Sequence, residues 1–181
     1  GQVDLAAAIV NQSGIVRADS LTTAQGSQAG RVTLRGSGSV TLGAGSVTSA
    51  DGQGGGPAGQ GRIDSGATGL TEVGGRVDAK SDAGPGGRIE ILGERVGLLN
   101  GASADVSGRT GGGELFVGGG ALGRDPTIRN ARASYIARGA RLTADATGAG
   151  DGGRIVVWGN DATRAYGQFS ARGGTAGGNG G

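Results

Sequence analysis

The stretch GGRIEILGERVGLLNGASADVSGRTGGG, from Gly86 to Gly113, holds three short apolar runs, RIEI, RVGLLNG and ADVS, set apart by glycine. In the first run Ile89 and Ile91 alternate with Arg88 and Glu90, the period of two that puts one face of a strand inward and the other in water. No run is long enough to bury its apolar face alone. The fragment therefore needs equivalent strands stacked above and below it.

The rest of the chain supplies them. The opening phrase recurs six times, as QVDL at Gln2, RVTL at Arg31, RIDS at Arg62, RIEI at Arg88, ELFV at Glu114 and RIVV at Arg154, with spacings of 29, 31, 26, 26 and 40 residues. A closing phrase recurs as VRAD (Val16 to Asp19), VDAK (Val77 to Lys80), ADVS (Ala104 to Ser107), LTAD (Leu142 to Asp145) and FSAR (Phe169 to Arg172), with VTSAD at Val47 a near match. Between them lies a third run, such as SVTLG at Ser39; LAAAIVNQ at Leu5 is read as the second strand of the first unit. Each unit then holds three strands and three turns. The expected fold is an all-β parallel β-helix of about six coils, one segment over residues 1–181, with coils near 2–30, 31–61, 62–87, 88–113, 114–153 and 154–181. The pairs Val32 and Leu34, Ile63 and Ser65, Ile89 and Ile91, Leu115 and Val117, and Ile155 and Val157 face inward. The long fifth coil carries an insertion over residues 119–133, expected to project as a loop.

Composition agrees with a thin aliphatic core. Glycine accounts for 45 of 181 residues without a Gly-X-Y period, and there are one Trp, two Tyr, two Phe and no Met. The glycines suit sharp corners that need a positive φ or close backbone approach. A low-complexity spacer would scatter its apolar residues rather than group them. Absence of Cys and His removes disulfides, thiolate and imidazole metal sites and the commonest catalytic base. A net charge of +2 is no footprint of specific nucleic-acid binding, and no apolar run is long enough for a membrane span.

The phrases RVGLLNGASADVSG, GGGELFVGGGALG, NARASYIARGARLTADATGAGDGG and RIVVWGNDATRAYGQFSARGGTAGGNGG, with VNQSGIVRADSL near the start, resemble filamentous-haemagglutinin-like exoproteins of two-partner secretion systems. The resemblance implies a right-handed β-helix and export through an outer-membrane β-barrel transporter. It also implies residence outside the cell or on the bacterial surface, and adhesion to host-surface or matrix glycans or proteins. The Asn-Pro-Asn motifs of that family's secretion domain are missing, since no Asn-Pro occurs, so the chain is expected to belong to the shaft. The reading is structural and adhesive, without catalysis or cofactor. An alternative is a carbohydrate-active β-helix protein binding or cleaving acidic polysaccharide, which calls for a groove of carboxylates and aromatics.

Candidate sites follow from residue types. Arg124, Arg129, Arg132, Arg138 and Arg141 stand against Asp125 alone, a local excess suited to an anionic glycan through charge-assisted hydrogen bonds. Asp78 and Asp105 occupy equivalent outward positions, the arrangement of a glycosidase carboxylate pair or of a solvated strand face. Gly118 to Gly123 satisfies G-x-G-x-x-G, but no helical pattern follows to meet a dinucleotide. Asp151 in GAGDGG reads as a turn residue bonding its own backbone. Arg31, Arg62 and Arg88 form a row neutralised by Asp64 and Glu90 two residues on. Trp158 and Phe116 are packing residues. An uncapped rod exposes strand edges and core at both ends, so end-to-end association is expected.

Overall fold

The structure, a computed structural model, describes residues 1–23 and 26–181. The chain winds as a right-handed parallel β-solenoid of six turns, and every turn contributes a stretch of strand to each of three faces. The first face stacks the opening parts of β1 (Gln2–Gln12) and β5 (Arg31–Leu42) with β7 (Gln60–Asp64), β10 (Arg88–Leu92), β13 (Glu114–Val117) and β16 (Arg154–Val157). The second stacks the closing parts of β1 and β5 with β8 (Leu70–Val73), β11 (Arg95–Leu98), β14 (Ala133–Ile136) and β17 (Ala162–Ala165). The third holds β2 (Ile15–Arg17), β6 (Val47–Ser49), β9 (Arg76–Asp78), β12 (Ser103–Asp105), β15 (Arg141–Thr143) and β18 (Gln168–Ser170). An antiparallel hairpin, β3 (Leu21–Thr23) with β4 (Gly26–Gln28), branches from the first turn. Because β1 and β5 run unbroken round a corner, LAAAIVNQ is the continuation of the first strand rather than a separate one.

Inward rows follow the alternation. Leu34, Ile63, Ile91 and Val117 stack in one buried column, and Leu42, Val73, Leu98 and Ile136 in another, so each layer caps the one beneath. Several polar residues of this core are satisfied by a neighbouring coil, whereas the buried hydroxyls of Ser46 and Thr48 have no hydrogen-bond partner among the described residues. Thr71 donates to the Leu92 carbonyl at 2.6 Å, and Ser134 to that of Trp158 at 2.6 Å.

One register differs from the sequence reading. Arg31 and Arg88 pair with Gln60, not with Arg62, which lies opposite Thr33 and Glu90. The row of like charges is thereby dissolved: Arg62 bridges Glu90 at 2.6 Å and Asp64 at 2.9 Å, while Arg88 bridges Glu90 at 2.8 Å and also Glu114. The residues below Ile89 and Ile91 are accordingly Gly61 and Ile63, and Ser65 is buried beyond the end of β7. In this register Ile63 stacks between Leu34 and Ile91, and Arg62 meets Glu90 instead of other arginines.

The corner that closes each turn explains the glycine pattern there. Gly87 donates to Ala79 of its own turn at 2.8 Å, and its carbonyl accepts from Glu114 of the next at 2.9 Å. A Cβ on Gly87 would land on the carbonyl oxygen of Gly59, one on Gly113 on that of Gly87, and the relation repeats at Gly153 and Gly181. None of these four has a positive φ, so close approach of stacked backbones, not backbone freedom, demands glycine at this corner.

Candidate functional site

The insertion connects β13 to β14 at the corner between the first and second faces. It does not project. On the first face one outward row becomes apolar in the last turns, with Phe116 and Val156 above Glu90, and the insertion folds down over it. Ile128, 2% exposed, packs with Leu92, Phe116 and Val156, and Arg88 lies over the Phe116 ring at 4.4 Å. The Trp158 indole packs against the backbone of Gly119 and Gly123 and donates to Asn160 at 2.8 Å. Burying this apolar strip outweighs leaving a loop in water.

Folding the insertion down disperses the arginines. Arg129 reaches back to Asp64, 5% exposed, at 2.7 Å. Arg132, at the corner, pairs with Asp161 at 2.8 Å and lies 3.8 Å from Glu94. Arg124 is exposed over the first face, Arg138 lies at the turn after β14, and Arg141 is on β15 of the third face. Among the described residues these last three make no ion pair. A cluster in sequence is thus spread around three sides of the coil, with two members already held by carboxylates.

Asp64 is the hub of the insertion's attachment. Burial pushes its carboxyl up, but the Gly66 N–H at 2.9 Å and the guanidinium groups of Arg62 and Arg129 outweigh this and hold it below the ordinary carboxylate value.

The third face carries the remaining carboxylates. Asp78 and Asp105 are cross-strand partners, as their spacing predicts. Their environments differ: Asp78, 3% exposed, is paired with Arg76 at 2.6 Å, and Asp105 accepts the Ser107 N–H at 2.9 Å. Two residues further on, a row of aspartates links turns. Asp19 accepts from Ser49 Oγ and the Asp51 N–H, and Asp145 from Ser170 Oγ and the Arg172 N–H. Asp51 accepts the Lys80 N–H in the same way, but the position of Ser49 and Ser170 is taken there by Asp78. Burial pushes the Asp51 carboxyl up, and the Asp78 and Asp19 carboxylates reinforce the shift against the Lys80 N–H and ammonium. Asp151, read as a self-bonding turn residue, instead accepts the Asn179 N–H of the next turn at 2.7 Å.

After Gly118, Gly119 and Gly120 comes a single 3-10 turn, Ala121–Gly123, with Leu122 at φ 55°; no helix N-terminus faces a phosphate there. Among the described residues no group of three or more His, Cys, Asp or Glu could hold a metal, and no helix is long and apolar enough to cross a membrane.

The second face shows what sequence spacing concealed. Tyr135 and Tyr166, in consecutive turns, meet edge to face at 6.1 Å and are 44% and 55% exposed. The row through Tyr135 reads Thr41, Glu72, Gly97, Tyr135, Arg164. Aligning the second runs of each coil would have exposed this row.

No family model matches the chain, and no curated protein does. Among solved structures it is similar to the HMW1 secretion domain from Haemophilus influenzae, with a TM-score of 0.71 and 28% identity over 80% of this chain. The match covers 39% of that structure.

Proposed function

We propose that this chain is a shaft segment of a large exported bacterial adhesin, delivered through an outer-membrane β-barrel partner and displayed outside the cell. The observation that carries the reading is the use of stacking itself: inward rows run through successive turns, and among the described residues the corners bond repeatedly to the adjoining turn. Such a column extends by adding turns while its outward faces vary. Likeness to a secretion domain supports an exported origin. The lack of Asn-Pro-Asn motifs favours shaft over secretion module. The chain is read as non-catalytic, because Asp64 and Asp78 are engaged by arginines and Asp51 and Asp145 by the adjoining turn.

Export tests the assignment. The parent protein lacking these residues in frame, expressed with its transporter, should still reach the medium in a shorter form. Loss of export with an intact transporter would place the segment in the secretion module instead.

A further inference from the structure

Gly97 sits in the middle of β11 without a backbone reason to be glycine. Its φ is not positive, and a Cβ there would meet only Leu99 Cδ2, at 3.9 Å. Glycine inside a strand weakens it and marks close approach by a ligand or another backbone. The corner glycines are explained by stacked carbonyls; at Gly97, though it is buried, no stacked carbonyl bars a side chain. With strands ~4.8 Å apart, the backbones of Glu72 and Tyr135 lie roughly 10 Å apart along the row with no side chain between them. The bare position is part of a shallow notch in the second face, lined also by Arg95 and Leu99.

The notch continues past Arg95 over the small side chains Ala133 and Ala162, and Arg164 closes its far end. Tyr135, 44% exposed, offers its ring beside Tyr166, with which it makes a T-shaped contact. Among the described residues Arg95 and Arg164 have no carboxylate partner, unlike Arg62, Arg88 and Arg132. Free guanidinium forks match carboxylate or sulfate oxygens two at a time.

We infer that this notch on the second face is a saccharide site, taking one ring of an acidic glycan against Tyr135 with its charge held by Arg95 and Arg164. Glu72 accepts hydrogen bonds from sugar hydroxyls on the opposite wall. The site rests on the reading that outward faces of the shaft do the adhesive work, and it moves that work from the insertion to the second face.

The test titrates the purified chain with a galacturonic-acid oligosaccharide and its neutral galactose counterpart, following calorimetry and the tyrosine ring resonances. The acidic sugar should bind and the neutral one more weakly. Gly97→Val fills the notch and suits a strand, so it should weaken binding at least about tenfold while the thermal midpoint holds or rises. Tyr135→Ala and the Arg95→Ala/Arg164→Ala pair should each weaken it by about tenfold or more, and Tyr135→Phe by less than about threefold. Binding unchanged in Gly97→Val and Tyr135→Ala overturns the site. Loss confined to an Arg124→Ala/Arg129→Ala/Arg132→Ala variant also overturns it, and returns adhesion to the insertion. Silence toward both sugars overturns it while leaving the shaft assignment, which export tests separately, intact.

Discussion

Asp51 and Asp145 occupy the same row of the third face, yet their neighbours give them opposite electrostatics. At Asp145 burial raises the carboxyl, but the Ser170 hydroxyl, the Arg172 N–H and the Arg172 guanidinium together pull it below its ordinary value. A depressed carboxyl contributes stability above the unfolded value of about 3.9, lost as pH falls through the folded value. Asp51, raised, does the reverse: its protonated form is favoured in the fold, and that advantage disappears as pH rises past the folded value. Asp51→Asn, which keeps an acceptor for the Lys80 N–H, should therefore raise the melting temperature at pH 7, with the gain vanishing below about pH 3.9. Asp145→Asn should lower it at pH 7, and the loss should shrink in acid. Thermal melts from pH 3 to 8 check both signs. Glycine separates by the same kind of local accounting. Gly87→Ala would drive a methyl into the Gly59 carbonyl and should cost about 1–3 kcal/mol. Gly61→Ala puts its methyl at ordinary contact, 3.6 Å from Ile89 and 3.8 Å from Val77, and should add about 0.5–1 kcal/mol. Chemical denaturation of the pair measures the contrast.

Among the elements, the insertion was legible as an insertion but not as a packed one. Its length shows in the 40-residue spacing, whereas its resting place depends on Phe116 and Val156 standing where earlier turns carry Arg62 and Glu90. Ile128 is the residue that joins it to that strip. Ile128→Ala should remove about 2–5 kcal/mol of docking free energy. Amide exchange should then quicken across residues 119–131 and leave the strands beneath protected. Equal loss of protection in β10 and β13 would mean the insertion is integral to the core.

At the scale of the molecule, inward rows end in the last turn on side chains with nothing stacked over them. Phe169 lies in the column of Val77, Ala104 and Leu142, all fully buried, and is itself 44% exposed; Ile155 and Val157 are partly buried beside it. This face should drive association of the isolated chain. Sedimentation velocity should show mass rising with concentration, and Phe169→Lys should hold the chain monomeric over the same range. A wild-type chain monomeric at every concentration would mean the face is adequately protected as it stands.

Period-two alternation and the recurring opening and closing phrases were enough to specify a three-faced parallel solenoid and its inward residues, because a short strand with one apolar face has few ways to bury it. The closing phrases aligned correctly from Val16 to Phe169, each bounded by its own turn. The third-turn register could not be read in this way. Arg62-Ile63-Asp64 imitates the neighbouring phrases locally, and only the contact of Ile63 with Leu34 and Ile91 distinguishes a slip of two residues, which preserves the facing of every side chain. The same limit hid the pairing of Arg129 with Asp64 and the meeting of Tyr135, Tyr166 and Gly97. Those groups are far apart in the chain and adjacent only because successive turns stack, and stacking is a property of the folded column rather than of any one phrase.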